Sequence, residues 1–243
     1  LHVRSRRQRQ MCIRDSENAA NAAYAIAVGT KNTAAQTSTA LGYNNNAKGL
    51  GSFGIGNTNK AEGQHAYTFG LQNRVVGHYS FGIGEGNHIS GGRSYALGWR
   101  NIVSGNNAYV LGRGNIGTGE SSIALGAVNK AGGKNALAAG INSSVGSTSE
   151  NALAIGQSAL VGTTGATATV DPVTGAVTAV YSNEKNATEG IAVGHSTSVM
   201  AEAGVAIGRR ASVSGKEGIA FGSFALTGGE GAIAIGATSC LLY

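Results

Sequence analysis

Gly84-Glu-Gly-Asn-His-Ile-Ser-Gly-Gly-Arg-Ser-Tyr-Ala-Leu97 is followed by Gly98-Trp-Arg-Asn-Ile-Val-Ser-Gly-Asn-Asn-Ala-Tyr-Val-Leu111 and by Gly112-Arg-Gly-Asn-Ile-Gly-Thr-Gly-Glu-Ser-Ser-Ile-Ala-Leu125. One fourteen-residue unit is written three times. A fixed period governs the fold more than any local signal does. Working outward, the marker Gly after each apolar run falls at Gly29, Gly42, Gly56, Gly70, Gly84, Gly98, Gly112, Gly126, Gly140 and Gly156, and again at Gly194, Gly208, Gly222 and Gly236. The period is too short for helix-pair repeats, which run to roughly 33–47 residues.

Each place in the unit has its own chemistry. Three residues after the marker stands Asn, from Asn32 to Asn129; five after it stands a small or branched residue such as Ala61, Val75 or Ile89; seven after it stands a second Gly in most units. Eleven on is often aromatic (Phe53, Tyr67, Phe81, Tyr95, Tyr109), twelve on is small (Gly82, Ala96, Ala124, Ala138), and thirteen on is large and apolar (Ile83, Leu97, Leu111, Leu125). Two glycines per unit mark two places that need positive φ or leave no room for a Cβ. Two turns leave two strands of about five residues each. Asn beside the marker suits a turn, because it tolerates the left-handed region. Stacked coils would set these Asn side chains about 4.8 Å apart, close enough for a hydrogen-bonded ladder. The expected fold is all-β: a β-solenoid of fourteen-residue coils with one hairpin insertion.

The two strands of a coil differ. Around place five the neighbours are polar, as with Lys60 and Glu62 about Ala61, so this strand has a wet face. The other strand, such as Ser94-Tyr95-Ala96-Leu97, has no polar face and reads as buried on both. One of its faces fills the coil; the other needs a partner. Tyr95, Leu97, Tyr109 and Leu125 from the large set, and Ala96, Ala124 and Ala138 from the small set, are therefore candidate interface residues, and the pattern leaves open which set faces the partner.

Five segments follow from the register. Residues 1–16 carry no repeat, and Arg9-Gln-Met-Cys-Ile-Arg-Asp-Ser16 resembles a translated sequencing adapter. Coils fill 17–156 and 188–239, an insertion occupies 157–187, and 240–243 resembles the same kind of scar. Such ends are set aside in fold reasoning and are expected to be dispensable. In the insertion, Gly165–Val170 and Ala176–Tyr181 are rich in β-formers and flank Asp171-Pro-Val-Thr-Gly175, which is turn chemistry.

Charge depends on the same segmentation. The chain carries +6. Setting aside Arg4, Arg6, Arg7, Arg9, Arg14 and Asp15 lowers that to +2, and a general argument for nucleic acid goes with it. Both cysteines, Cys12 and Cys240, lie in the set-aside ends, so the coils offer no disulfide, zinc site or thiol nucleophile. Gly is 40 of 243 residues against a single Pro, which excludes collagen. No run reaches roughly 18 consecutive apolar residues, the length of a spanning helix.

Several sharper motifs dissolve into the repeat. Gly112-Arg-Gly-Asn-Ile-Gly117 matches a dinucleotide fingerprint, but a β coil follows where a helix is required. Calcium-binding rolls need Asp in every repeat, and only Asp15 and Asp171 occur. The acids Glu62, Glu85, Glu120, Glu150 and Glu217 are scattered, as are the histidines, so no catalytic residues, metal ligands or cofactor are expected. What remains is a possible ligand strip: Lys60, Arg74 and His88 share place four of consecutive coils, with Trp99 and Arg100 at a nearby turn.

Ser122-Ile-Ala-Leu-Gly126, Asn151-Ala-Leu-Ala-Ile-Gly156 and Gly231-Ala-Ile-Ala-Ile-Gly236 resemble the head repeat of YadA-type trimeric autotransporter adhesins, Asn-Ser-Val-Ala-Ile-Gly-x-x-Ser in a fourteen-residue period. The resemblance implies a left-handed parallel β-roll and a homotrimer on the bacterial cell surface, joined to the outer membrane only through a stalk and anchor that this sequence does not contain. It also implies non-enzymatic, multivalent adhesion to host extracellular matrix or cells. The aromatics at place eleven depart from that family's usual Val. A structural or receptor-binding segment of a phage tail fibre is the alternative.

Overall fold

The structure, a computed structural model, describes residues 13–14, 17–163, 165–174 and 176–242. These fall into two compact units, Leu1–Val103 and Ser104–Tyr243. Both are parallel β-solenoids with a coil of fourteen residues, and no helix occurs among the described residues.

In the first unit the long strands Ile26–Thr30, Thr39–Tyr43, Phe53–Asn57, Tyr67–Leu71, Phe81–Glu85 and Tyr95–Trp99 make one parallel sheet. The short strands, such as Lys60–Ala61, Arg74–Val75 and His88–Ile89, make another. Register follows the repeat: Gly84 lies opposite Gly70 on one side and Gly98 on the other. In the second unit the same two sheets form, with Tyr109–Arg113 pairing Ile123–Ala127 and Ile116–Gly117 pairing Lys130–Ala131. Beyond residue 190, Thr197, Ala211, Ala225 and Ser239 stand where earlier coils carry Asn, and the long strands shorten to three residues, as in Val205–Ile207.

The coil interior is one side chain deep from each sheet. Ala61, Val75, Ile89 and Val103 point in from the short strands, and Ala40, Thr68 and Ala96 from the long ones, none more than 2% exposed. Volumes compensate across this thin core. A Cβ on Gly82 would meet Val75 Cγ2 at 2.9 Å and Ile89 Cδ1 at 3.5 Å. In the second unit the pairing is inverted: Val110 comes from the long strand, and a Cβ on Gly117 would stand 2.7 Å from its Cγ2. Interiors packed to this density tolerate small-to-large changes poorly.

The two glycines of the unit have different reasons. The marker glycines sit at positive φ, +114° at Gly84, and a Cβ there would lie 2.1 Å from the next marker's carbonyl oxygen. The second Gly needs no positive φ; at Gly49 the neighbouring carbonyl at 1.8 Å alone forbids a side chain. The Asn residues do not take the left-handed place expected of them. The residue before each does, at Lys31, Asn44, Thr58, Gln72 and Arg100. Asn is instead held inside: Asn32, Asn45, Asn59, Asn73, Asn87 and Asn101 are at most 1% exposed. Asn45 Nδ2 donates to Asn32 Oδ1 at 3.0 Å, to the Leu41 carbonyl at 2.9 Å and to the Gly56 carbonyl at 2.7 Å, and its backbone N–H reaches the same Oδ1 at 3.0 Å. This is the expected ladder, and it satisfies polar groups that could not otherwise be buried cheaply. In the second unit it runs from Asn115 to Asn129 and is taken over by Ser143, whose N–H bonds Asn129 Oδ1 and whose hydroxyl bonds the Gly156 carbonyl.

Gly165–Val170 and Val177–Ser182 pair antiparallel, with Asp171 Oδ1 accepting the Val173 and Thr174 amides in the turn. This hairpin lies back on coils of its own unit. Tyr181 Oη is 2.6 Å from Thr118 Oγ1, and its ring fills the space over Gly132 that a Cβ would need. Glu184 accepts the Ser147 amide and hydroxyl. Burial, with the nearby Glu184 charge adding to it, pushes the Tyr181 phenol up to about 12 despite the opposing Thr118 bond. The neutral phenol is thus the docked form. The stability this contact contributes is fully present below the ordinary phenol range near 10 and is expected to fall away as pH rises from there through about 12. An ultraviolet phenolate titration is expected to contain a component near pH 12 that Tyr181→Phe removes; persistence of that component in Tyr181→Phe would contradict the anchor.

At the ends, Ile13–Arg14 pairs with Ile26–Thr30, and Cys240–Leu241 pairs with Leu226–Thr227. The rest of the 1–16 segment and Tyr243 lie outside the described residues.

Candidate functional site

Three surfaces carry chemistry: the short-strand face, the turn after the marker, and the outer face of the long strands. On the first, Lys60, Arg74 and His88 are stacked in register. They do not form a free basic strip. Glu62, two residues after Lys60, directs Oε2 at Arg74 Nε (3.2 Å) and Nη2 (3.0 Å). His88 is buried at 7% exposure. Only Lys60 of the three is exposed. The neutralising acid was legible, since Glu62 and Arg74 lie on adjacent coils; the burial of His88 was not.

Trp99 and Arg100 sit on a different element. Trp99 ends the strand Tyr95–Trp99, opposite Glu85, and Arg100 takes the left-handed place at φ 51° in the turn that follows. There its guanidinium lies 4.4 Å from the centroid of the indole, a cation–π pair on an exposed surface. A flat, half-covered aromatic beside a fixed cation can hold a polar ligand's apolar face and an anionic or carbonyl oxygen together.

The same turn in the second unit holds a cluster that the strip reading passed over. Arg209 and Arg210 follow marker Gly208, and both guanidiniums lie over Phe224 of the next coil, at 4.9 and 5.5 Å. The signal was present as an Arg doublet one period before an aromatic.

The outer face of the long strands settles which set faces outward. Ala96, Ala124 and Ala138 are inside the coil at 2, 0 and 0% exposure, which takes them out of the interface set. Tyr95, Leu97, Tyr109 and Leu125 are outside, 36–46% exposed. The reason is volume: where Ile89 and Val103 reach in from the opposite sheet, a small residue such as Ala96 fits, and a larger one such as Val110 enters only where Gly117 gives up its side chain. In the first unit Phe53, Tyr67, Phe81 and Tyr95 stack in succession at 5.2, 4.4 and 5.1 Å, with ring planes within 9° of parallel. Parallel in-register pairing puts like residues about 4.8 Å apart, so the ladder follows from the period itself. In the second unit the corresponding face carries Phe221, Ile233 and Ile235, all more than half exposed.

The family model described as YadA head domain repeat (2 copies) matches residues 34–57, 118–143, 201–225 and 214–239. No curated protein matches the chain. The matches fall in three separate stretches, on both sides of the hairpin, and agree with a parallel solenoid. Where the family model matches, in both units, the coils are built on the YadA-type head repeat, folded as a parallel β-solenoid.

Proposed function

We propose that the chain is the head module of a trimeric autotransporter adhesin on a bacterial cell surface, and that it attaches to host matrix or cells by many weak, non-enzymatic contacts. The observation that carries the reading is the conjunction of the head repeat with an outward apolar face that a lone chain leaves uncovered. Two further copies are the occupants the family implies for that face. Three chains present each surface site three times, and linked weak contacts gain avidity without any single tight one. Lys60, Trp99 and Arg100 are the exposed members of the proposed ligand set; Arg74 and His88 serve it as support.

Binding to immobilised host matrix proteins and to intact host cells tests the module. The wild-type chain is expected to bind at least one of them, and Trp99→Ala with Arg100→Ser to weaken each site by roughly tenfold, about 1.4 kcal/mol, with a larger loss of capture where several sites engage together. Absence of any binding above a bare surface would contradict the adhesive reading; unaltered binding by the variant would remove the site and leave the module.

A further inference from the structure

The Arg209–Arg210–Phe224 cluster has no role in the adhesive reading above. Arg209 and Arg210 are both exposed, and both guanidiniums lie over one phenyl ring. Backbone bonds join the residues across coils: Arg210 N–H donates to the His195 carbonyl at 2.8 Å, and Phe224 N–H to the Arg209 carbonyl at 2.8 Å. His195 is exposed one coil earlier, with its Nδ1 3.2 Å from Ser196 Oγ. Three basic side chains therefore occupy one edge of two consecutive coils.

Acids of the same coils stand at the other turn. Glu202 and Glu217 flank Lys216 there, at 3.6 and 3.9 Å from its Nζ. Among the described residues no carboxylate forms an ion pair with Arg209 or Arg210. Charge is thus segregated between the two edges of the coil. Two guanidiniums within 4.9 and 5.5 Å of one ring centroid concentrate positive charge at this edge, and a bound anion offsets it. Guanidinium groups match sulfate and carboxylate oxygens bidentately.

We propose that this edge is a binding site for an acidic polysaccharide, its sulfate or carboxylate groups held by Arg209 and Arg210 with His195 adjoining. Coils advance about 4.8 Å each, so an extended glycan along the edge meets successive residues at a spacing comparable to one sugar. Nucleic acid fits less well: the Phe224 ring is already engaged by two guanidiniums, which compete with a base for it, and base stacking supplies much of single-strand affinity. The inference goes beyond the adhesive reading and does not depend on it.

Binding of the full chain to a heparin-derived oligosaccharide tests it, with the chemically desulfated oligosaccharide and a single-stranded DNA of equal charge as comparisons. The wild type is expected to bind the heparin oligosaccharide, and Arg209→Ser with Arg210→Ser to weaken binding by about tenfold or more, with a shallower salt dependence by roughly two counterions. Both side chains are exposed, and circular dichroism and melting temperature should be unchanged. Retained binding by the desulfated form would assign recognition to carboxylates, and its loss to sulfates; either supports the site. Equal affinity of wild type and variant, no binding by the wild type, or tighter binding to the DNA would overturn it.

Discussion

Replacing Gly84 by Ala is expected to collapse the coils around it. Gly84 has φ +114°, where an L side chain is strained, and its Cβ would stand 2.1 Å from Gly98 O and 3.0 Å from Gly98 C. Neither atom is the end of a flexible side chain. The backbones must part, and with them the pairing of Phe81–Glu85 with Tyr95–Trp99. A clash of this kind belongs with the largest single-site effects, about 4 kcal/mol or more, a substantial part of an ordinary stability of roughly 5–15 kcal/mol. The melting temperature should fall by about 10 °C or more, with protease cleavage appearing in the first unit. Gly86→Ala is the control. Gly86 also has positive φ, +64°, but a Cβ there meets only Arg100 Cγ, at 3.3 Å. Non-glycine residues occupy the equivalent place in other coils, as Thr58 and Gln72 do, so the cost is about 1 kcal/mol. Equal effects at the two sites would contradict the close approach of marker glycines.

Ala96 and Leu97 are adjacent and should respond oppositely to Asp. Ala96 is 2% exposed inside the coil, and Leu97 is 46% exposed on the outer face. Ala96→Asp places an unpaired carboxylate in a one-layer apolar interior and should cost several kcal/mol of fold stability. Leu97→Asp with Leu125→Asp should leave the strand content intact and abolish association, because the charges fall where the apolar face would be buried. Sedimentation and circular dichroism separate the outcomes. An unfolded Leu97→Asp/Leu125→Asp variant, or a folded and associated Ala96→Asp variant, would reverse the assignment of faces.

Much of this was readable in the period. The coil length, both turns, the Asn ladder and the aromatic rank at Phe53, Tyr67, Phe81 and Tyr95 all repeat with the marker Gly, and parallel pairing turns repetition along the chain into contact in space. The assignment of faces was harder, because both sets of the long strand are apolar. It turns on volumes across the coil, such as Gly82 between Val75 and Ile89, which become visible only when the two strands of a coil are set opposite each other. The left-handed turn residue was missed because Lys31, Gln72 and Arg100 hold φ near +55° without being Gly or Asn; the repeated ladder on either side holds them there. The pairing of Arg74 was hidden for a different reason. Arg74 looked free when read down its own rank, whereas its partner Glu62 stands in the neighbouring one. The docking of Tyr181 onto Thr118 spans 63 residues and has no periodic signal at all.

We propose that further copies of the same chain cover the outer face of the long strands. Burial of that face, at about 25 cal/mol per Å², recurs coil by coil in a repeat protein, so association should be tight. Sedimentation equilibrium on the chain trimmed to residues 17–239 measures it directly. A folded species of three times the chain mass is expected at tens of micromolar; a folded chain that sediments as a monomer at that concentration would contradict this coverage.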